Sequence, residues 1–404
     1  MTWIAVAIVL AIVELGLFLI VRLQRRSFQW LITANDEVPA LDSRALQKYL
    51  DGSFDPHLGW VRRPNTTGIE RGQKGEIQFH IDAAGARAGT PAKSAPLVAA
   101  YGDSYVFCRQ VEDDETWEAQ LSRQEGIGVL NFGVGNYGVD QALLRYERAE
   151  LPATVRVVVM GFVPETICRI QSRWKHYLEF GNTFAFKPRF VIGSDGKPTL
   201  LENPMRSAED FSSLHDKLPG IREADGFYEG KFRSLQFRFP YIFSLMRNPV
   251  KQVSLIHAVA FRALLRSVGL ATPWSENLPF TLVMKDNIRD AHRRYRDSES
   301  TDLLRAILLR FRDEARRRGH IPLVLVMPQL LDLKLARNKN TPYQEFYRTL
   351  QPSLSVLDLT ERFLGSDYQQ LYISDQYGGH LSVAGNQLVA RELSAWLSSS
   401  DAMH

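Results

Sequence analysis

Five short apolar runs follow one another along the chain without alternating polar residues. They are Pro96–Tyr101, Gly128–Phe132, Val155–Gly161, Ile321–Met327 and the shorter Ser355–Leu359. Continuous runs of Val, Leu and Ile are typical of strands that are covered on both faces. The pattern therefore predicts a sheet of buried, parallel strands.

Helical patterns lie between these runs. One begins at Asp113, a second begins at Asp140, and a third covers Thr301–Gly319. The third has Asp302 near its start, three arginines in its last turn and Gly319 as its C-cap. Strands that alternate with helices predict a doubly wound α/β fold, in which the functional site lies at the carboxyl ends of the strands.

The N-terminus carries a longer apolar run of a different kind. Trp3–Val21 is interrupted only by Glu14, and a helix of this length can cross a hydrocarbon core of about 30 Å. We interpret it as a single-pass anchor; a buried helix of a soluble protein and a cleaved signal peptide are the alternatives. Arg22, Arg25 and Arg26 follow the run, so the positive-inside rule places the rest of the chain in the cytoplasm.

The remaining segments predict how the chain is organised. We expect an anchor over residues 1–26, a turn-rich β lead-in over 27–95, an α/β domain formed by 96–166 and 301–404, and an insertion or cap over 167–300. Residues 230–275 of the insertion contain no Asp or Glu and interleave basic with aromatic residues. Two interpretations stay open for this stretch: a packed cap with a solvated positive face, or a surface that rests on the bilayer.

Composition narrows the classes of function. The chain has 404 residues, of which 45% are hydrophobic and 23% are charged, and its formal net charge is +4. This balance does not indicate a nucleic-acid-binding protein. The two cysteines, Cys108 and Cys168, have the spacing of neither zinc ligands nor a disulfide framework, so we expect small buried side chains there. The sequence gives no signal for a metal or a cofactor.

Small and polar residues stand at the ends of the predicted strands. The first strand ends in Gly102-Asp103-Ser104, the second in NFGVGNYG at 131–138, and the third in GFVPET at 161–166, while DQYGGHLS occupies 375–382 near the C-terminus. This order of blocks resembles the SGNH/GDSL hydrolases, in particular membrane-associated members that modify bacterial polysaccharides. The resemblance covers roughly residues 96–166 and 301–398.

The resemblance implies a flavodoxin-like three-layer α/β/α sandwich with Ser104 as nucleophile and His380 as base. A serine hydroxyl needs a base to take its proton, and a histidine just before a helix N-terminus is kept neutral. Asp375 is expected to hold the second ring nitrogen. It stands five residues before His380, where the family usually has three. Either Gly378 and Gly379 let the loop bulge, or the site works as a Ser-His dyad.

The resemblance also implies an oxyanion hole. Its donors would be the backbone N–H groups of Ser104 and Asn136 and the side chain of Thr166. Asn136 stands at a family glycine and tolerates positive φ. Thr166 stands at the family asparagine, so we expect a slow site, a substitute donor or lost hydrolysis. Asp103 is expected to support the turn.

These residues predict three candidate functions. The first is a membrane-anchored serine esterase or deacylase that removes an acyl group, such as O-acetyl, from a carbohydrate or a lipid-linked substrate. The second is O-acyl transfer to a polysaccharide by the same site, and the third is a non-catalytic scaffold that binds a glycan or a membrane partner. We expect a single pass in the cell (inner) membrane. Relatives that modify polysaccharides often work outside, which leaves the periplasmic side open.

Overall fold

The computed structural model of the chain describes residues 2–24, 31–72, 75–89, 94–336, 341–373 and 379–400. The chain divides into two compact units. The anchor unit comprises Met1–Leu50, Ser172–Lys187 and Pro204–Met284, and the sheet unit comprises Asp51–Gln171, Pro188–Asn203 and Lys285–His404. These limits differ from the predicted organisation, because residues 51–95 group with the sheet and the expected insertion is divided between the two units.

The strands all belong to the sheet unit. They are β1 (Phe54–Asp55), β2 (Gly59–Trp60), β3 (Thr66–Gly72), β4 (Gly75–Ile81), β5 (Pro96–Gly102), β6 (Gly128–Gly133), β7 (Val157–Phe162), β8 (Arg189–Ile192), β9 (Pro198–Leu201), β10 (Ile321–Val326) and β11 (Ser355–Asp358). The pairs β1–β2, β3–β4 and β8–β9 are antiparallel.

The α-helices are distributed over both units. They are α1 (Thr2–Gln24), α2 (Ser43–Gly52), α3 (Trp117–Glu125), α4 (Val139–Arg148), α5 (Thr166–Arg169), α6 (Lys175–Leu178), α7 (Ala208–Ser212), α8 (Leu214–Glu223), α9 (Tyr241–Arg247), α10 (Pro249–Ser267), α11 (Pro273–Arg294), α12 (Ser298–Arg317), α13 (Leu330–Ala336), α14 (Pro342–Leu350), α15 (Thr360–Leu364) and α16 (Val383–Ser399). Helix α2 adds a helix to the lead-in that the sequence predicts as β-rich.

A parallel sheet of five strands lies at the centre of the sheet unit. Its order is β11-β10-β7-β5-β6, and every neighbouring pair is parallel. The five strands are the five apolar runs, so the prediction of a buried parallel sheet is confirmed. Counted along the chain, the order is 2-1-3-4-5, which is that of flavodoxin-like sheets.

Helices cover both faces of this sheet. Val98 and Ala100 of β5 point into a core that also contains Trp117 of α3 and Val389 of α16. Neighbouring residues of a strand point to opposite faces, and Tyr101 packs edge-to-face on the other side against Tyr146 of α4. Helices α4 and α12 pack together there. The sheet unit therefore has helical, sheet and helical layers.

Helix α12 begins earlier than the sequence predicts. The side chain of Asp297 accepts a hydrogen bond from the N–H of Ser300 at 3.0 Å, so the helix is capped at Asp297 and begins at Ser298, whereas the sequence predicts a start at Thr301. At the other end Gly319 has φ of 78°, and the N–H of His320 donates to the Ala315 carbonyl at 2.8 Å. This left-handed turn is the expected glycine stop.

Helix α1 is long and apolar enough to cross a membrane. The stretch Trp3–Leu23 has a mean hydropathy of 3.0 and is 11% buried. The buried core helix of a soluble protein would be mostly covered, so that alternative does not fit. By length and composition α1 could be a membrane span or a signal sequence. Of the arginines that follow the run, Arg25 and Arg26 lie outside the described residues.

The end of β5 requires glycine. A Cβ on Gly102 would lie 1.8 Å from the carbonyl oxygen of Gly161 on β7, so the two backbones are too close for any side chain. We expect Gly102→Ala to lower the free energy of unfolding by about 1–3 kcal/mol through overpacking. A Cβ on Gly89 meets nothing closer than 3.9 Å, so Gly89→Ala is the matched control. Chemical denaturation of the purified protein measures both, and equal stability of the two variants would contradict the expectation.

Candidate active site

Asp103 fixes the turn that follows β5. Its Oδ1 accepts from the N–H of Tyr105 at 2.8 Å, and its Oδ2 accepts from the N–H of Val163 at 3.1 Å. The Arg169 guanidinium donates to the same Oδ2 at 3.1 Å. Burial raises the pKa of Asp103 above its usual value. The carboxylate is committed to holding the ends of β5 and β7 together, as the sequence interpretation expects.

Ser104 and His380 meet at this end of the sheet. The Ser104 Oγ lies 3.0 Å from the His380 Nε2, although the two residues are 276 positions apart in the chain. Both residues are buried, with exposed fractions of 7% and 8%. His380 stands between Gly379, whose φ is 76°, and the N-cap of α16, where the Ser382 side chain accepts from the Gly385 N–H. The structure thus brings together the predicted nucleophile and the predicted base.

The second nitrogen of the His380 ring faces Gln110. The His380 Nδ1 lies 3.2 Å from the Gln110 Oε1, while the Gln110 Nε2 donates to the Arg71 carbonyl at 3.1 Å. Because the amide nitrogen is engaged with a carbonyl, the amide oxygen is the group that faces the ring, and it accepts a hydrogen bond from the Nδ1–H group. This leaves Nε2 as the acceptor for the hydroxyl of Ser104. The arrangement selects the tautomer that a general base requires.

The environment of His380 favours the neutral ring. Burial, with smaller contributions from the cations Arg109 and Arg169, lowers the pKa of His380 from 6.5 to about 3. The sequence predicts a neutral histidine from its place before a helix, whereas burial and these two cations are the causes in the structure. At neutral pH the Nε2 lone pair is available to accept a proton.

Arg87 holds the loop that carries Gln110. Its guanidinium donates to the carbonyls of Phe107, Cys108 and Val111 at 2.6–2.8 Å. Its Nε donates to Asp113 at 2.7 Å. Cys108 and Gln110 have φ of 54° and 72°, so the loop adopts left-handed backbone that non-glycine residues rarely occupy. The buried Arg87 guanidinium thus stabilises a strained loop. This loop positions Gln110, the hydrogen-bond partner of the His380 Nδ1.

The two backbone N–H groups of the predicted oxyanion hole, those of Ser104 and Asn136, have no hydrogen-bond acceptor in the described part of the chain. Asn136 has φ of 68°, the left-handed conformation expected for a residue at a glycine position. Two hydrogen bonds hold the loop that carries Asn136. The N–H of Val134 donates to the Gly102 carbonyl at 3.0 Å, and the Trp60 Nε1 donates to the Gly135 carbonyl at 3.0 Å. Such N–H groups are the donors that an oxyanion requires.

Thr166 has a partner of its own. Its hydroxyl accepts a hydrogen bond from the N–H of Val139 at 2.9 Å, in the first turn of α4, and the residue is fully buried. This bond uses the hydroxyl oxygen as acceptor and does not engage the O–H proton, and an oxyanion role for Thr166 stays a prediction. Glu165, which precedes Thr166 in the same block, is buried and ion-paired with Arg169 at 2.9 Å.

The other predicted residues are placed as follows. Asp375 lies outside the described residues, together with the rest of 374–378. Cys108 and Cys168 are both buried thiols that form no disulfide with each other. The thiol of Cys108 donates to Glu118 at 3.2 Å, and burial raises its pKa well above the usual value. A thiol that resists ionisation is not a nucleophile.

Three residues of the site are not identified by the sequence. Gln110, Arg87 and Arg169 act through hydrogen bonds to groups that are distant in the chain or that belong to the backbone. None belongs to a spaced motif. A basic residue within an apolar or turn-forming stretch, as at Arg87 in DAAGARAG, is the only signal that the sequence offers.

Comparisons with known proteins find likenesses only among solved structures. No family model and no curated protein match the chain. A lipolytic protein of the G-D-S-L family from Desulfitobacterium hafniense is 11% identical, over 74% of this chain and 97% of that chain, with a TM-score of 0.31. A member of the lipolytic G-D-S-L family from Veillonella parvula is 11% identical, over 76% of this chain and 100% of that chain, with a TM-score of 0.33. Identities and TM-scores this low do not assign a function to the chain. The chemistry that we propose is therefore argued from the geometry of the chain's own residues.

Removing the Arg87 side chain should release the loop. In Arg87→Ala three buried carbonyls lose their charged donor, and we expect the free energy of unfolding to fall by about 3–5 kcal/mol. Arg317→Ala removes an exposed arginine that is ion-paired with Glu314, and we expect a change within about 0.5 kcal/mol. Chemical denaturation followed by circular dichroism measures both. An Arg87→Ala variant as stable as the Arg317→Ala variant would show that the loop does not depend on this cation.

Proposed function

We propose that the chain is a membrane-anchored serine esterase or deacylase that forms an acyl-enzyme on Ser104. The observation that supports it most is the 3.0 Å contact between the Ser104 Oγ and the Nε2 of a neutral His380. A hydroxyl and an imidazole in this geometry, buried at the carboxyl edge of a parallel sheet, form the unit that activates a serine. We propose an acyl ester, such as an O-acetyl group on a carbohydrate or lipid-linked substrate, as the bond that is cleaved.

The geometry supports the following steps. The Ser104 Oγ attacks the ester carbonyl carbon while its proton passes to the His380 Nε2. The carbonyl oxygen becomes an oxyanion, for which the N–H groups of Ser104 and Asn136 are the proposed donors. The tetrahedral intermediate collapses, and the leaving alkoxide takes the proton from Nε2. Water then gives its proton to Nε2 and attacks the acyl-enzyme, which releases the carboxylic acid and restores the serine hydroxyl.

Gln110 supplies orientation but no charge. A carboxylate beside Nδ1 would both orient the ring and stabilise the imidazolium that forms during attack, whereas a neutral amide does only the first. Arg109 and Arg169 oppose the imidazolium further. A dyad assisted by Gln110 alone should therefore turn over slowly. Asp375 is the carboxylate that the sequence offers for this ring, and we retain it as the proposed third member.

O-acyl transfer by the same site is the second candidate. Ser104 is 7% exposed, and an acyl-enzyme that is shielded from bulk water survives longer to react with another hydroxyl. The first half-reaction is unchanged, and the acceptor hydroxyl takes the place of water in the second. A non-catalytic scaffold is the third candidate, favoured by the presence of Thr166 at the position where the resembled family has an asparagine.

A fluorophosphonate probe tests the proposal directly. Such a probe reacts only with an activated serine, so we expect labelling of the full-length protein at Ser104. Ser104→Ala should abolish the labelling, and His380→Ala should slow it by about 100-fold or more, because the base is lost. Ser382→Ala is the control, since Ser382 is a helix cap close in sequence to His380. Labelling that persists in Ser104→Ala, or that is absent from the folded wild type, would refute the proposal.

Product analysis then separates hydrolysis from transfer. Incubation with an acetyl ester, with and without an oligosaccharide acceptor, measures free acetate against acetylated saccharide. An esterase releases acetate at the same rate in both cases. A transferase forms acetylated saccharide at the expense of acetate, and both products must disappear in Ser104→Ala.

A further inference from the structure

The anchor unit exposes a long apolar surface that the proposed site does not use. It is formed by the segment from Phe239 to Leu270, which contains α9 and α10 and which we call the apolar hairpin. Nine large apolar side chains of this segment are exposed: Phe239, Phe243, Met246, Val250, Val253, Phe261, Leu264, Val268 and Leu270. A patch of this extent on a soluble surface marks a site that contacts a partner or a membrane.

Helix α10 has an exposed apolar face. The residues Val250, Val253, Phe261, Leu264 and Val268 recur at helical spacing along this face, with His257 among them. Gln252, Ala258 and Val259 are the buried residues of the helix. An exposed apolar surface of this extent is normally covered by protein or by lipid. The face of α10 that stays exposed in the described part of the chain therefore requires an apolar environment.

The apolar hairpin packs against the C-terminal half of α1. The carboxylate of Glu14 accepts hydrogen bonds from the N–H groups of Tyr241 and, at 2.9 Å, Ile242. Next along α1, the ring of Phe18 lies 6.4 Å from the ring of Tyr241. Val21 shares an apolar cluster with Leu31, Phe237 and Val259. The hairpin is thus attached to α1 along the stretch from residue 14 to residue 21.

The position of Glu14 along α1 gives the depth of this contact in a bilayer that α1 spans. The apolar stretch of α1 ends at Leu23, and at 1.5 Å per residue Glu14 lies about 13 Å inside that end, near the middle of a hydrocarbon core of about 30 Å. A carboxylate there is costly unless its oxygens are hydrogen-bonded. The two N–H groups at the start of α9 meet this requirement. If α1 spans a bilayer, the residues that touch Glu14 lie inside the same leaflet.

The charges of the hairpin fit the headgroup region. Arg247, Lys251, Arg262 and Arg266 are its charged side chains, and residues 230–275 contain no Asp or Glu. Long basic side chains can keep their stems in the apolar region while the charge reaches the phosphates. Arg266 pairs with Glu276 of α11. The hairpin therefore combines an apolar face with basic groups, as interfacial helices do.

We propose that α9 and α10 are inserted in the membrane leaflet that holds the C-terminal half of α1, so that a phospholipid bilayer covers the exposed apolar face. The proposal depends on the membrane anchoring in the proposed function and is independent of the serine chemistry. The anchor unit is then attached to the bilayer along two elements instead of one tether. Glu14, the only charged residue within the apolar run, joins the two.

Lipid-borne quenchers test the insertion. Phe243 and Leu264 on the hairpin and Glu229 outside it are each replaced by cysteine in the full-length protein and labelled with an environment-sensitive fluorophore. Phe243 and Glu229 are both exposed, and the native cysteines are buried. The proteins are reconstituted into phosphatidylcholine–phosphatidylglycerol liposomes with or without doxyl-labelled phosphatidylcholine. We expect at least two-fold quenching at positions 243 and 264 and little at position 229.

Two outcomes would overturn the insertion. One is quenching at positions 243 and 264 no stronger than at position 229. The other is a fluorescence signal at the hairpin positions that indicates an apolar environment, changes with the ratio of protein to lipid and is not quenched by doxyl lipid. This result would assign the surface to a second copy of the chain. Fluorophosphonate labelling of Ser104 in the same liposomes is a separate readout, so failure of the insertion is distinguishable from failure of the proposed catalysis.

Discussion

The hydrogen bond between Ser104 and His380 is the interaction on which the candidate active site depends. It joins the turn after β5 to the loop before α16, and a parallel sheet brings these two points to the same edge. The close approach of β5 and β7 at Gly102 allows the turn to form there. Asp103 then ties the turn to the end of β7, so the hydroxyl stands at a fixed height above the sheet.

The electrostatics of the site favour a neutral His380 that can accept a proton, and they do not favour the imidazolium that forms during attack. Burial and two arginines keep His380 neutral, so its Nε2 is able to accept a proton over a wide range of pH. The same features make the imidazolium costly during attack. Gln110 offers the ring an oriented acceptor without a negative charge. Such a site activates its nucleophile, while the rate of turnover depends on what stabilises the imidazolium and the oxyanion. Asp375 and the N–H groups of Ser104 and Asn136 are the groups proposed for these tasks.

Local sequence patterns predict the framework, and long-range hydrogen bonds decide the details. The five strands, the glycine stop at Gly319 and the cap at Ser382 each depend on a few adjacent residues, and all three are present. Helix α12 begins at Ser298 and not at Thr301, because the side chain of Asp297 caps it one turn earlier. Gln110 and Arg87 could not be predicted, because their roles depend on a left-handed loop that no local signal specifies. The hydrogen bond of Thr166 could not be predicted for the same reason, because its donor is the Val139 N–H on another element, α4.

Nitrogen-15 NMR of the histidine ring tests the central claim most directly. Full-length protein labelled with ¹⁵N-histidine is measured in detergent micelles between pH 5 and pH 8, and the signals of His380 are assigned by their loss in His380→Gln. A pKa near 3 keeps the ring neutral throughout this range. We expect a single neutral tautomer of His380 with the proton on Nδ1, and no titration of the ring between pH 5 and pH 8. A ring that is imidazolium at pH 7, or that carries its proton on Nε2, would contradict it.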